Sequence, residues 1–286
     1  MHWCWARNRS VVGISVGDRI GQKGLKMPAN AHEKSKDFVQ SMERGLAVMK
    51  VFSAENHKLT LSEVAELAGF TRATARRFLL TLEELHYIGS AGRFFFLRPK
   101  VLELGYAYLS SYSLVSIAQN HLEILAEELR ESCSASVLEG ENVIYVCRAS
   151  TNRIMTVNLS IGHSLPAYAT SMGRILLAAL PEKELDEYLT QYKRKKLTAT
   201  TITDASELKE ILKGVREKGW ALNNQELEEG VQSIAVPIRD KSGKVVAAAN
   251  VSAHATRVSI VDLEKVFLPK LQAAVAEIEK DLSHQL

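Results

Sequence analysis

The sequence of 286 residues lacks the patterns on which several common functions depend. Its three cysteines, Cys4, Cys133 and Cys147, are odd in number, show no CxxC spacing and stand apart from any cluster of histidines. A disulfide framework and a zinc site are therefore not expected, and such cysteine usage is typical of the reducing cytoplasm. We expect neither a metal nor a cofactor.

Long hydrophobic runs are also missing. No stretch approaches the ~18 uncharged apolar residues that a membrane span requires. The apolar residues 11–17 are too short, too rich in glycine and too soon followed by charge to be a signal peptide. With 46% hydrophobic and 24% charged residues, the chain has the composition of an ordinary folded protein. We expect a cytoplasmic protein that does not bind membranes.

Signatures of catalysis are absent as well. There is no phosphate-cradling GxxxxGK loop, and no histidine stands in a recognisable spacing with a nucleophile, acid or metal ligand. Glu226, Glu228 and Glu229 are interpreted as a solvated acidic turn, and the Cys147 thiol has no partner base in the sequence. No catalytic residue is predicted. Two alternative functions stay open. One is an enzyme that acts on a small organic acid and has an accessory DNA-binding domain; the other is an architectural DNA-binding protein without a ligand.

The charged residues are distributed unevenly along the chain. Residues 1–100 hold 16 Lys and Arg against 9 Asp and Glu, whereas the remaining residues hold 20 against 24. The length favours two domains. The asymmetry favours a polyanion-binding N-terminal domain and a C-terminal domain with another task. Residues 1–37 show no sustained periodicity and are predicted to be a disordered extension, with Met27 as an alternative start.

A helix-turn-helix is predicted from Ser41 onward. A first helix over Ser41–Ala54 precedes a second over Leu61–Ala68, which opens with the capping box Thr60-Leu61-Ser62-Glu63. Gly69 ends the second helix, and Thr71 caps a third that reaches Leu85. A helix, a short glycine-containing turn and a second helix are the parts of this DNA-binding motif.

The third helix has the pattern of a recognition helix. Ala75, Phe78, Leu79, Leu82 and Leu85 share one apolar face, and the opposite face is cationic and smooth near the N-terminus. Arginine can pair with guanine in the major groove, and alanine can touch a thymine methyl group. A merely solvated basic face is the alternative. The residues predicted to contact DNA are Thr60, Thr71, Arg72, Ala73, Thr74, Arg76, Arg77 and Arg93.

Arg93 belongs to a predicted hairpin, or wing, whose turn is centred on Ser90-Ala91-Gly92. Pro99 then opens a largely helical segment up to Arg130. Its apolar stripe consists of Leu102, Tyr106, Leu109 and Tyr112. We favour a partly intermolecular role for this stripe, because operator half-sites normally mirror a protein two-fold, over packing within the chain.

The C-terminal part alternates strands and helices. Strands are predicted at Ala135–Leu138, Val143–Arg148, Met155–Ile161, Trp220–Leu222, Val231–Ile238 and Val245–Ser252. Helices are predicted at Ser171–Leu180, Lys183–Tyr192, Ser206–Lys218 and as a terminal pair from Ile260. Hairpin-length connections favour a mainly antiparallel sheet covered by helices.

Four segments together resemble the IclR-type transcriptional regulators over roughly Ser41–Leu286. They are SMERGLAVMKVF, TLSEVAELAGFTRATARRFLLTLEELHYI, GHSLPAYATSMGRILLA and EEGVQSIAVPIRDKSGKVVAAANVS. ATARRFLLTL and PAYATSMGRILLA further resemble the branch that controls aromatic-acid degradation through the β-ketoadipate pathway, the PcaR- and PobR-like regulators. The resemblance implies an α+β protein: a winged helix-turn-helix (38–99), a linker helix (100–116) and a GAF-like α/β effector-binding domain (117–286).

The resemblance also implies the partners and a ligand site. The expected partners are double-stranded operator DNA, a small organic acid effector, further copies in a homodimer or tetramer, and RNA polymerase if the protein activates transcription. Family positions carried over to this chain are Ser171, Met172, Asn223, Ser233, Asn250 and Ser252. At Asn223 many relatives have an aspartate.

The residues independently favour an acid ligand. Thr170 and Ser171 can cap a helix whose first turn, with its unpaired N–H groups, can receive a carboxylate. Asn250 and Ser252 are two apart on a strand and project to one face. Arg148 and Arg153 are candidate partners for a second polar group, with ordinary surface charge as the alternative for each.

Overall fold

The computed structural model describes residues 35–53, 55–111, 113–150 and 159–284, without the side chains of residues 110, 111 and 113. The predictions for residues 1–34, Tyr112 and Arg153 lie outside the described residues. The described chain forms two compact units that divide between Gly105 and Tyr106. This division falls inside the segment 100–116 that was predicted as the linker.

The first unit contains three helices and a small antiparallel sheet. The helices are α1 (Gln40–Lys50), α2 (Leu61–Ala68) and α3 (Arg72–Glu84), and the strands are β1 (Leu59–Thr60), β2 (Ile88–Ala91) and β3 (Phe94–Leu97). The sheet order is β1-β3-β2. Its core is closed by side chains from all three helices and the hairpin, including Val48, Val64, Ala75, Leu79 and Ile88.

Local signals set the ends of α2 and α3. The predicted capping box is present: the Thr60 side chain accepts a hydrogen bond from the Glu63 N–H, and the Glu63 carboxylate accepts one from the Thr60 N–H. Gly69 ends α2 at φ +70°, a left-handed conformation that glycine adopts without a steric penalty. Thr71 caps α3. The predicted range of α2 is confirmed, whereas α1 ends at Lys50 rather than continuing to Ala54.

The hairpin after α3 is confirmed, but its turn lies two residues later than predicted. Ser90 and Ala91 belong to β2, and Gly92 takes the left-handed position in the turn, at φ +61°. Helix α3 ends at Glu84, one residue before the predicted end at Leu85, and Leu85, which was placed on its apolar face, is half exposed.

The chain between the two predicted domains is helical. Pro99–Val101 forms a short 3-10 turn, followed by α4 (Leu102–Ser111) and α5 (Ser113–Leu129). Two residues of the predicted apolar stripe are largely exposed: Leu102 is 73% exposed and Tyr106 is 70% exposed.

The second unit is built around a six-stranded sheet. Its strands are β4 (Ser132–Glu139), β5 (Asn142–Ala149), β6 (Ser164–Pro166), β7 (Ala221–Asn224), β8 (Val231–Arg239) and β9 (Val245–His254). The order is β6-β5-β4-β9-β8-β7, and every pair is antiparallel, as predicted. Strand β6 was not predicted. Of the predicted strand Met155–Ile161, only residues 159–161 are described, and they form no strand.

Helices cover both faces of this sheet and confirm the α+β prediction. One face packs against α6 (Ser171–Ala178), α7 (Glu182–Gln191) and α8 (Ala205–Lys218). The other packs against α5, the π-helical turn Leu263–Phe267 and α10 (Leu268–His284). The short helix α9 (Ile260–Asp262), which precedes this turn, is exposed. None of the described helices is long and apolar enough to cross a membrane.

The sheet's alternation places polar groups beneath α6. In β4, Cys133 and Ala135 belong to the core shared with α5 and α10. The next residue, Ser136, projects to the other face, where its hydroxyl donates to the sulfur of Met172 on α6. Because side chains alternate along a strand, Ser134 lies on that same face.

Candidate functional site

The first unit presents a cationic helix surface. Arg72, Ala73, Arg76 and Arg77 are all exposed on α3, while Ala75 on the opposite side is buried. We call these four exposed residues the α3 outer face. Arginine and alanine side chains on such a face are the groups that read base edges in a major groove.

The three predicted threonines serve the helix ends. The hydroxyl of Thr60 donates to Oε2 of Glu63 at 2.8 Å. The hydroxyl of Thr71 accepts from the Thr74 N–H at 3.2 Å and lies 2.9 Å from the Thr74 hydroxyl. These bonds hold the start of α2 and the start of α3, so the threonines position the α3 outer face whether or not they also touch DNA.

Arg93 is exposed in the turn between β2 and β3. Its guanidinium carbon lies 5.1 Å from the centre of the Phe94 ring, a cation–π contact that supports the side chain while it remains accessible to solvent. A positive charge in this position can contact a phosphate.

In the second unit, polar side chains of α6 and four strands share one face of the sheet and contact one another in pairs. The Ser171 and Ser233 hydroxyls are 2.8 Å apart. Ser233 lies opposite Ser252 in the β8–β9 pair, and Ser252 accepts from Nδ2 of Asn250 at 3.0 Å. We call this set the polar ring: Ser134, Ser136, Arg148, Ser171, Met172, Ser233, Asn250 and Ser252.

The remaining members extend the set across the sheet to β4 and β5. Asn250 lies opposite Ser134 in the β4–β9 pair, and Ser134 accepts from Nη1 of Arg148 at 3.3 Å. The hydroxyl of Ser136 lies 3.3 Å from the sulfur of Met172, the residue after Ser171. Arg153 lies outside the described residues; of the other seven candidate effector residues, all but Asn223 lie on the sheet face beneath α6 or in the first turn of α6. Ser134 and Ser136 were missed, although the alternation in SCSASVL placed both hydroxyls on one strand face.

Among the candidate effector residues that the structure describes, only Arg148 carries a formal charge. It is half-buried, and burial lowers the pKa of its guanidinium, which nevertheless remains protonated. Within the described residues, no carboxylate forms an ion pair with Arg148, and residues 151–158 contain no Asp or Glu. Its charge is therefore not neutralised by the part of the protein that the structure describes.

Asn250 leaves a second polar group unsatisfied. The residue is only 3% exposed, and its Oδ1 is buried without a hydrogen-bond partner among the described residues. Both Asn250 and Arg148 thus offer unused hydrogen-bonding capacity at the polar ring.

The start of α6 is held against the preceding backbone. Thr170 is the N-cap, and its hydroxyl accepts from the Gly173 N–H at 3.0 Å. A Cβ atom on Gly173 would lie 2.1 Å from the carbonyl oxygen of Ala167, so only glycine permits this approach. Thr170 fulfils the predicted capping role, whereas Ser171 instead contacts Ser233.

Asn223 lies beside the ring but is fully engaged. Its Nδ2 donates to the carbonyl of Ala169 at 2.9 Å, and its Oδ1 accepts from the Glu226 N–H at 3.4 Å. The side chain ties the turn after β7 to the segment before α6. A ligand contact through this amide would have to compete with these bonds.

Glu226 contradicts the interpretation of a solvated acidic turn. It is 7% exposed and receives a hydrogen bond from Nη2 of Arg174 at 2.6 Å and another from the Ile202 N–H at 3.1 Å. Arg174 was not predicted as a functional or structural site, because its partner is 52 residues away in the sequence.

The described residues contain no group of three His, Cys, Asp or Glu side chains that could hold a metal ion. Burial raises the pKa of Cys147 to about 12 and that of Cys133 to about 12, so both thiols are neutral and poor ligands.

Comparisons with known proteins agree with both units. Residues 41–90 match the IclR helix-turn-helix domain, and residues 106–280 match the C-terminal domain of the IclR bacterial transcriptional regulators. The Pca regulon regulatory protein of Pseudomonas putida is 46% identical over 251 residues, which cover 87% of this chain and 85% of that protein.

Two solved structures are also similar. A proposed transcriptional regulator from Rhodococcus sp. RHA1 is 51% identical, with a TM-score of 0.75, covering 86% of this chain and 98% of that one. The inducer-binding domain of a PobR double mutant from Acinetobacter, in complex with 3-hydroxybenzoic acid, is 33% identical, with a TM-score of 0.55, covering 57% of this chain and 96% of that one. The chain belongs to the IclR family of bacterial transcriptional regulators.

Proposed function

We propose that this regulator controls genes of aromatic-compound catabolism, in the β-ketoadipate pathway, in response to a small aromatic or dicarboxylic acid. Residues 38–99 would bind the operator, residues 100–116 would link the domains, and residues 117–286 would bind the acid. An accessory enzymatic activity has no support, because the relatives are named as transcriptional regulators.

The unpaired charge of Arg148 carries the proposal for an acid. A half-buried cation without a carboxylate partner is costly, and an anionic ligand that supplies the missing charge gains a charge-assisted hydrogen bond. The N-terminus of α6 adds a partial positive charge at the same polar ring. A carboxylate is the small organic group that suits both.

The relatives support the aromatic part of the proposal. One regulates the Pca regulon, and another holds a hydroxybenzoic acid in its inducer-binding domain. The apolar neighbours of the ring suit an aromatic ring: Met172 is fully buried, and Tyr145, on the strand that carries Arg148, is nearly so. Burial raises the pKa of Tyr145 to about 12, so its phenol adds no competing negative charge.

For operator binding, we propose that the α3 outer face reads bases and that Arg93 contacts phosphate. Such a protein would act in the cytoplasm, where the operator lies. The exposed side chains of Leu102 and Tyr106 support assembly as a homodimer or tetramer, in which two winged helices would meet two half-sites. If the protein activates transcription, RNA polymerase would be a further partner.

Titration calorimetry on the full chain tests the acid site. We expect benzoate and adipate analogues with a carboxylate to bind, and uncharged benzamide not to bind. Arg148→Gln should weaken acid binding about tenfold or more, because a hydrogen bond to a charged group contributes about 1.5–3 kcal/mol. The exposed turn residue Lys241 supplies the control, since Lys241→Gln removes one positive charge from the same domain.

Two results would contradict the proposal. Equal losses in Arg148→Gln and Lys241→Gln would show a general charge effect rather than a site. Absence of binding by every carboxylic acid tested, in a folded protein, would remove the acid effector altogether.

A further inference from the structure

A second cavity of the second unit lies at the other end of α6 from the polar ring. Its volume is about 660 Å³, within the ~300–1,000 Å³ that is typical of small-molecule sites. The end of α6, the helix α8 and the strands β4, β8 and β9 surround it, and no residue of the polar ring lines it. The first turn of α6 therefore borders the polar ring, and its last turn borders this cavity.

The floor of the cavity is aliphatic. Ile175 and Leu176 of α6 and Val215 of α8 are each at most 8% exposed. Val137 of β4 and Val245 of β9 add half-buried branched side chains. As far as the structure describes the chain, the lining includes no aromatic, hydroxyl, amide or imidazole side chain. Such a floor suits a saturated hydrocarbon, because it offers a polar ligand body no hydrogen bonds.

The rim of the cavity is cationic. Arg216, Arg239 and Lys244 are exposed there, together with one carboxylate, that of Glu184. Nε of Arg216 donates to the carbonyl of Ala178 at 2.7 Å, which holds this guanidinium at the end of α6. The excess of positive charge favours an anion at the rim.

The charges of Arg239 and Lys244 are available to a ligand. Nη1 of Arg239 donates to the carbonyl of Gly243 at 3.0 Å, and neither cation forms an ion pair among the described residues. The nearby Asp240 carboxylate accepts instead from the backbone N–H groups of Ser242 and Lys244 within the hairpin turn. Two cations above an aliphatic floor complement an anion that has a hydrocarbon body.

We propose that this cavity is a second ligand site, which binds a medium-chain fatty acid. The hydrocarbon chain packs on the aliphatic floor, and its carboxylate contacts Arg239 and Lys244 at the rim. The site is separate from the polar ring, so its existence does not depend on the proposed function. Because α6 borders both sites, the fatty acid contacts the helix that also contributes Ser171 and Met172 to the polar ring.

The experiment compares ligands that differ in chain length and in charge. Calorimetry on the full chain, below micellar concentrations, would use octanoate, decanoate and 1-octanol. We expect one decanoate per chain, bound about fivefold or more tightly than octanoate, since each buried CH₂ contributes up to about fourfold in affinity. Octanoate should in turn bind at least about fivefold more tightly than 1-octanol, which has eight carbons as well but no charge for the rim to pair with.

Variants assign this binding to the cavity. Ala179 is an exposed lining residue, so Ala179→Trp adds bulk in the cavity without entering the core and should weaken decanoate binding at least about tenfold. The double variant Arg239→Gln/Lys244→Gln should lose about tenfold for decanoate and little for 1-octanol. Lys241→Gln removes an exposed cation of the same hairpin that does not line the cavity, and it serves as the control. Met172→Trp, at the polar ring, should leave decanoate affinity unchanged.

Several outcomes overturn the inference. One is the absence of saturable decanoate binding by the wild-type protein, and another is undiminished binding by folded Ala179→Trp. Equal losses in the double variant and in Lys241→Gln would show a general charge effect, and this comparison decides alone if Ala179→Trp does not fold. Loss of binding in Met172→Trp but not in Ala179→Trp would place the fatty acid at the polar ring.

A second copy of the chain is the other possible occupant. If light scattering shows that Ala179→Trp splits an oligomer of the wild-type protein, the cavity is an interface between copies and the inference fails. The proposed function is tested separately by the effect of Arg148→Gln on benzoate binding, so either can fail while the other stands.

Discussion

Arg174 and Glu226 form a buried ion pair in which Nη2 lies 2.6 Å from Oε2 and both side chains are at most 9% exposed. Arg174 also donates to the carbonyls of Tyr168 and Leu222, each at 3.3 Å. One guanidinium therefore joins α6, the segment before it and the edge strand β7. The pair therefore holds the first turn of α6, which contributes Ser171 and Met172 to the polar ring.

Glu226→Gln should destabilise the second unit strongly. The amide cannot neutralise Arg174, and removing one partner of a buried ion pair typically costs about 3–5 kcal/mol. Urea unfolding monitored by circular dichroism measures the loss. Glu229→Gln, an exposed neighbour in the same turn, serves as the control and should change stability little. Similar midpoints for the two variants would contradict the structural role of the pair.

The sequence predicted elements whose ends are determined locally. Helix α2 was obtained in full because Thr60, Glu63 and Gly69 all lie within or next to it. The prediction that Asn250 and Ser252 project to one face of β9 is confirmed, because side chains alternate along a strand with a period of two.

Features that depend on distant pairing were missed. Strand β1 exists only because Leu59 and Thr60 pair with β3, and two residues carry no periodicity. The contact between Ser171 and Ser233 spans 62 residues. Glu226 was misread because a glutamate in an acidic stretch is normally solvated, and its burial depends on Arg174, which lies on a different element. The polar ring thus arises from tertiary packing of individually ordinary residues.

Recognition of the operator provides the next prediction. Arg72→Ala and Arg76→Ala should each cost about 1–3 kcal/mol on a specific site and relax the sequence preference there. Arg93→Ala should weaken binding to all duplexes and reduce the salt slope by about one unit, because it removes a phosphate contact. Fluorescence anisotropy on operator and random duplexes, at several salt concentrations, separates the two effects.

Lys213→Ala, which removes an exposed charge from α8 of the other domain, controls for net charge. If Arg72→Ala and Arg76→Ala lose as much affinity for random duplex as for the operator, α3 does not read bases.

Assembly through α4 can be tested at Tyr106. This side chain is 70% exposed, so Tyr106→Glu should leave a monomer folded. If Tyr106 lies in an apolar contact between two copies, the substitution buries an unpaired carboxylate and should split the oligomer. Operator affinity would fall with it, because two half-sites would no longer be held together. Light scattering gives the mass; an unchanged mass for folded Tyr106→Glu would instead favour a role within one chain.

The last prediction concerns the helix start beneath which the acid is proposed to bind. Met172 is fully buried, and its sulfur lies 3.3 Å from the Ser136 hydroxyl, so Met172→Trp should press a bulkier side chain against the polar ring and block acid binding there. Thr170 would still cap α6, and the DNA-binding unit would be unaffected. Ser171→Ala should be milder, since it removes one hydroxyl whose bond contributes about 0.5–1.5 kcal/mol.

Acid binding and the response of operator affinity to acid should fail together in Met172→Trp. A protein that no longer binds the acid cannot change its operator affinity in response to it. By linkage, an acid that changes operator affinity by some factor must itself bind more tightly or more weakly by the same factor when the operator is present. Calorimetric titration of wild type, Met172→Trp and Ser171→Ala with the tightest-binding acid, with and without operator duplex, measures both sides of the cycle. Unchanged acid affinity in a folded Met172→Trp protein would place the effector away from α6.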